Sequence, residues 1–243
     1  MKSLIFASRN GKELLRDPLT LVFGVGFPIV LLTLMHILST SIPQAPQNFA
    51  VGQLAPAMAV FGLSFISLFA GMLIAGDRES SFLMRIFASP MKAADYILGY
   101  TLPLLATAVC QCVLCFAFAL LLGLPLSGWL AAAILALIPV ALLFVGLGIL
   151  LGTLLGYKQV GGISSVLVNV AAWLSNTWFD LNLIGGVFRD IGYALPFAHA
   201  VDLAKAAAAG DVSGMFPHLW WVLSYAAVIY ALAAILFRRK MKQ

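Results

Sequence analysis

The chain has 243 residues, of which 63% are hydrophobic, 12% aromatic and only 9% charged, and its mean hydropathy is +1.05. Soluble domains carry about 25% charged residues, so a water-soluble globule of this size is excluded. The formal charge of +5 does not point to nucleic acid, because the basic residues flank long apolar runs, where lipid headgroups and a cytoplasmic protein are the natural partners.

In chain order, residues 1–17 predict an amphipathic interfacial helix. A helical wheel gathers Leu4, Ala7, Ser8, Gly11, Leu14 and Leu15 on one side and Lys2, Arg9, Lys12, Glu13 and Arg16 on the other, with Ile5 and Phe6 off the stripe. The chain then turns at Asp17-Pro18 towards the bilayer. Six apolar runs follow: Leu19–Thr40, Val51–Gly76, Leu98–Leu122, Trp129–Leu155, about Val160–Phe179, and His218–Phe237. Each is near the roughly 20 residues that let a helix satisfy its own backbone across hydrocarbon. The first is too long, and lacks the small-residue site, for a cleavable signal peptide. Pro and Gly inside these runs fit kinks and close helix packing.

The second connection opens with Asp77-Arg78-Glu79 and continues through Phe82, Leu83, Ile86 and Phe87 to Pro90. Those four apolar residues share one helical face, so residues 78–89 predict a short helix whose oily side needs a cover. Its own bundle, headgroups or a groove on a soluble partner would each serve. Residues 180–217 read as an external segment of short helices forming a lid, dipping towards the membrane before Pro196. Twelve Lys and Arg residues lie on the side of the termini, against only Arg189 and Lys205 on the other. That asymmetry places both termini in the cytoplasm of a multi-pass protein of the cell membrane. The expected fold is therefore an all-α membrane protein, one domain over 1–243, without repeats or linkers.

Polar side chains in spans mark either interhelical hydrogen bonds or a water-lined path. In the fifth run Ser165, Asn169, Trp173 and Asn176 form one stripe, with Ser164 and Thr177 beside it. The second span adds Phe61, Ser64, Phe65, Ser67 and Phe69. The first, second and fifth spans hold no Lys, Arg, Asp or Glu mid-membrane, so the candidate pathway suits a hydrophobic or amphipathic cargo. Cys110, Cys112 and Cys115 do not converge on a helix and read as buried apolar residues, not metal ligands. His36, His199 and His218 read as structural or interfacial.

Catalytic patterns are missing. There is no Gly-x-Ser-Gly and no His-Glu-x-x-His, and the single Gly-Lys, Gly11-Lys12, has Phe6 and Glu13 where a phosphate-binding loop needs Gly and Ser or Thr. The chain itself predicts no nucleotide, cofactor or metal site. A channel or secondary transporter remains the alternative, although it would ordinarily need mid-membrane charges or discontinuous helices.

The start ending in Glu13-Leu-Leu-Arg-Asp-Pro18, the second span running into Asp77-Arg-Glu79, the stretch Arg85-Ile-Phe-Ala-Ser-Pro-Met91, and Ile97-Leu-Gly99 opening the third span resemble the permease of ABC-2 type transporters. Leu195-Pro-Phe197 and the Ala-rich stretch ending Gly210-Asp211 resemble the family's external segment. Asp77 stands where the family more often has Glu, and Ser80-Ser81 replaces a commoner Glu-Gly continuation. The resemblance implies a half-transporter and an export direction. Two copies, or this chain and a sister permease, would pair around a pathway bordered by the first, second and fifth spans. Two separate ATPase subunits would bind ATP and Mg. Residues 78–89 would be the coupling helix, contacting the ATPase through Arg78, Glu79, Phe82, Leu83, Arg85, Ile86 and Phe87.

Overall fold

The computed structural model describes residues 2–43, 47–80 and 92–240. Regular structure among the described residues is entirely helical. The elements are α1 (Lys2–Arg16), α2 (Pro18–Ser41), α3 (Val51–Glu79), α4 (Ala93–Leu121), α5 (Trp129–Leu154), α6 (Tyr157–Trp173), α7 (Leu181–Ile184), α8 (Gly186–Ala194), α9 (Pro196–Ala209) and α10 (Val212–Lys240). Five of these, α2, α3, α4, α5 and α10, are long and apolar enough to cross a membrane. Of the helix expected over 78–89, residues 78–80 are described; Phe82, Leu83, Arg85, Ile86 and Phe87 lie outside the described residues.

Local chemistry sets the entry into α2. Asp17 caps it, its carboxylate accepting from Leu19 N and from Thr20 Oγ1 at 2.6 Å, and Pro18 occupies the first turn, where a missing N–H costs nothing. Val22–Gly26 then winds as a π-turn. Pro28 follows within the same helix and cannot donate to the preceding turn, so the backbone re-registers there.

The central helix is α3, which packs against α5, α6 and α4. Gly148 and Gly152 of α5 sit directly on the α3 backbone at Ser67 and Gly71; a Cβ on Gly152 would fall 2.6 Å from the Gly71 carbonyl oxygen and 2.9 Å from Ile74 Cβ. Small residues four apart let the two backbones approach this closely, which is how helices gain packing energy where hydrocarbon offers no hydrophobic drive. Further along α5, the ring of Tyr230 occupies the space a side chain at Gly146 would need.

Four sequence expectations change here. The buried face of α1 is Phe6, Ala7, Asn10 and Leu14, while Leu4 and Leu15 of the aliphatic stripe are exposed. Phe6 decides this: its ring seats on Gly99 and meets Tyr100 edge-on at 4.9 Å, and Asn10 Nδ2 donates to the Gly99 carbonyl at 3.1 Å. The fifth run does not reach Phe179 as helix; α6 stops at Trp173, giving 17 residues. Beyond it Asn176 adopts φ +60, and Lys205 Nζ donates to its carbonyl while its own amide donates to Asp202. Asn is among the few residues that tolerate this left-handed geometry. The segment 180–217 is more than a lid, because α9 is inserted among α3, α5 and α10 with Phe197, Ala200, Val201, Ala204 and Ala207 buried and Phe197 stacked on Phe144. Cys112 and Cys115 are buried as expected, but Cys110 is exposed.

The α3–α5 contact yields a direct check. Gly152→Val should lower stability in detergent by about 1–3 kcal/mol, the usual cost of overpacking, whereas Gly128→Ala, with open space around it, should be close to neutral. Thermal unfolding of both purified variants measures the difference.

Candidate transport cavities and their charged root

Two cavities lie in series along α3, named inner and outer by their distance from Asp77. The outer one, about 580 Å³, is lined by Phe27, Leu31, Phe49, Phe61, Phe65, Leu68, Ser165, Val168, Asn169, Ala172, Trp173, Trp178 and Phe179. The inner one, about 830 Å³, is bounded by Phe23, Phe69, Met72, Leu73, Gly76 and Tyr157 with Arg9, Glu13, Asp17 and Asp77 at its charged side. Phe65 and Leu68 line both. Both volumes fall in the roughly 300–1,000 Å³ range of small-molecule sites.

Aromatic rings shape the outer chamber. Phe65 meets Phe27 at 5.5 Å and Phe61 at 5.3 Å, both edge-on; Phe61 continues to Trp178 at 6.0 Å, and Trp173 stacks on Phe179 at 5.5 Å. The polar groups are few. Ser165 Oγ donates to the Gly161 carbonyl and Asn169 Nδ2 to the Ser165 carbonyl, which uses the hydroxyl proton of Ser165 and one of the two N–H donors of Asn169. Of the candidate pathway residues, Phe61, Phe65, Ser165, Asn169 and Trp173 come together at this cavity. Ser64 does not: it is buried and donates to the Phe61 carbonyl. Asn176 does not either, since its amide is spent on Asp202 and on Leu181 N.

At the other end, three consecutive residues of α3 reach four other helices. Asp77, 3% exposed at its side chain, accepts from Arg9 Nη1 of α1 at 2.8 Å and from Tyr100 Oη of α4 at 2.8 Å. Arg78 Nη1 donates to the carbonyls of Gly152, Thr153 and Leu155, at 2.9, 2.7 and 3.2 Å. Glu79 accepts from Tyr157 N at 3.0 Å. The signs match the helix ends: a cation meets carbonyls at the end of α5, and an anion meets the first amide of α6. Glu13, paired with Arg9 at 2.8 Å, is held above the usual carboxylate range by burial, with Asp77 and Asp17 adding to the rise and Arg9 opposing it.

Sequence reasoning missed a second polar cluster beyond the far end of α6. Asp202 takes hydrogen bonds from Asn176 and Tyr193, and burial pushes the Tyr193 phenol up to about 12, with Asp202 adding to it. Burial lowers the Lys205 ammonium, against the pull of Asp202 and Asp180. His199 stacks on Trp221 at 4.9 Å, and its Nδ1 lies 2.8 Å from His218 Nδ1. Its Nε2 is 3.0 Å from the Tyr193 carbonyl. A carbonyl only accepts, so Nε2 carries the proton and Nδ1 accepts from His218. The Ser-Asn-Thr triplet at 175–177, a turn former, was the available sign of this cluster.

The profile of the ABC-2 type transporter family matches residues 3–208. The chain belongs to that family. As an ABC-2 protein it is a membrane component of a transporter and not a catalytic domain, and family membership implies association with ABC ATPases. No curated protein matches the chain by sequence.

Two outcomes test this ABC-2 permease's polar clusters. Arg9→Met leaves Asp77 buried without its cation and should cost about 2–3 kcal/mol, below the 3–5 of a fully buried pair because Arg9 is over a third exposed; thermal unfolding measures it. His199 has a pKa lowered by burial, with His218 adding to it and the Tyr193 carbonyl and Asp202 opposing. Its unfolded state therefore binds the proton more readily, so this contribution is present above pH about 6.5 and is lost as pH falls below that value. A His199→Gln variant should flatten the stability-against-pH curve in that window.

Proposed function

We propose that the chain is the permease subunit of an ATP-driven exporter that moves a hydrophobic or amphipathic small molecule, a drug, antibiotic, lipid or lipid-like cargo, out of the cytoplasm or inner leaflet. The observation that carries this is the pair of cavities in series along α3, joined at Phe65 and Leu68. A cargo would enter beside the charged inner mouth and pass to an aromatic chamber with two polar groups. Such a chamber pays little desolvation for an apolar body and offers no counterion to a strongly charged one.

In this reading α6 joins the five longer helices as a sixth, thinner crossing, with both termini in the cytoplasm, as the distribution of basic residues favours. Two support points stand at one end of the bundle. Phe6 of α1 and Phe237 of α10 both meet Tyr96 at the start of α4. The cavities are open along α6, where Ser165, Asn169 and Trp173 are exposed in the single chain, which suits a pathway completed by a second permease copy or a sister. ATP and Mg would be bound by two separate ATPase subunits, reached through residues 81–91.

The test is reconstitution in nanodiscs with a soluble ATPase subunit that co-purifies with the chain, followed by ATP hydrolysis against a titrated amphipathic dye. Asn169→Leu should shift the half-maximal dye concentration about fivefold, the value of one hydrogen bond near 1 kcal/mol, with basal hydrolysis unchanged. Phe82→Asp and Ile86→Asp should release the ATPase while the permease stays folded. Dye transport that proceeds without any ATPase would return the chain to the channel or secondary-transporter class.

A further inference from the structure

Arg78 and Glu79 carry an assignment that the resemblance does not. Both side chains make contacts within the chain: Arg78 Nη1 with three carbonyls at the end of α5, Glu79 Oε1 with the first amide of α6. The two elements they grip are joined through Leu155 and Gly156 alone. Two residues at the tip of α3 thus hold both sides of one tight turn, each with the charge that its helix end favours. From Ser80 the chain continues into residues 81–91, and α6, fastened at Tyr157, supplies Ser165, Val168, Asn169, Ala172 and Trp173 to the outer cavity.

We propose that Arg78 and Glu79 are positioning residues that lock the α5–α6 turn to the tip of α3, so that the two move together and carry with them the cavity wall supplied by α6. They would act inside the permease and not as contacts to the ATPase. The inference rests on the transport reading above for its consequence, but the clamp itself is a property of this chain alone. Asp77 completes the root by tying α1 and α4 to the same point, so four helices share one anchor.

The Tyr157 amide separates the clamp from general destabilisation. It opens α6, where a helix supplies no internal acceptor, so Glu79 is its protection. In the permease alone, in nanodiscs, Glu79→Ala should speed hydrogen exchange of that amide at least tenfold. Glu79→Gln, which keeps an oxygen at the same reach, should leave it near wild type. A second pair tests the donor. Gly156 is extended (φ −73, ψ 160) and Tyr157 holds the first helical position, both compatible with proline. Tyr157→Pro removes the N–H together with the ring; Tyr157→Ala removes the ring only.

With the ATPase present, Glu79→Ala and Arg78→Ala should keep ATPase binding and basal hydrolysis but lose dye-stimulated hydrolysis at least fivefold. Glu79→Gln should stay within twofold of wild type, and Tyr157→Pro should lose at least fivefold more stimulation than Tyr157→Ala, which removes the same cavity-lining ring. The proposal is overturned by unchanged exchange in Glu79→Ala, by normal stimulation despite faster exchange, or by release of the ATPase as with Phe82→Asp. A wild-type complex without ATP-linked transport overturns the transport reading instead, and the exchange result still decides the clamp.

Discussion

Helix ends are the electrostatic weak points of a protein with so few acidic and basic residues, and the tip of α3 answers them with Asp77, Arg78 and Glu79 in a row. Carbonyls close α5 and an amide opens α6; Arg78 and Glu79 meet them with the right sign. Asp77, one residue earlier on the helix, points roughly 100° away and reaches α1 and α4 instead. Consecutive residues on a helix fan outward, which is why a contiguous triplet can serve several neighbours at once. Five helices, α3 included, thereby meet around this point, and the inner cavity opens beside it.

Away from this root, the bundle is held by shape. Gly148 and Gly152 bring α5 onto the α3 backbone, and α9 contributes buried alanines between α3, α5 and α10. Close contact is where helix association gains its energy in hydrocarbon. Tight packing on one side of α3 leaves its other side, carrying Phe61, Phe65, Leu68 and Phe69, for the two cavities. One helix thus serves as both the scaffold and the wall.

Much of this was legible in advance. Length and hydropathy placed the long helices, and the i, i+4 recurrence of Ser165, Asn169 and Trp173 placed those three on the face that lines the outer cavity. The same recurrence misled at Asn176, because periodicity cannot register the point where a helix stops and buried partners, here Lys205 and Asp202, pull a side chain elsewhere. The wheel for α1 likewise weighed aliphatic residues and left Phe6 aside, although Phe6 and Asn10 form the contact with Gly99. A ring needs a matching hollow, and a hollow on another helix leaves no trace in local periodicity. The repeated small residues of α9 (Ala200, Ala204) were a packing sign inside a segment that its length and scattered charges had marked as external.

By itself the sequence determined that the chain lives in a membrane as a helical bundle, where its apolar runs lie, and which polar stripe on the fifth run merited attention. These follow from composition and local spacing, which act over one or two helical turns. Tertiary structure alone decided that Asp77, Arg78 and Glu79 bind four different helices, that α9 enters the bundle, and that His199 meets His218. Those pairings join residues dozens of positions apart, or turn on which helix faces which, and only the packed chain brings their charges and hollows into register.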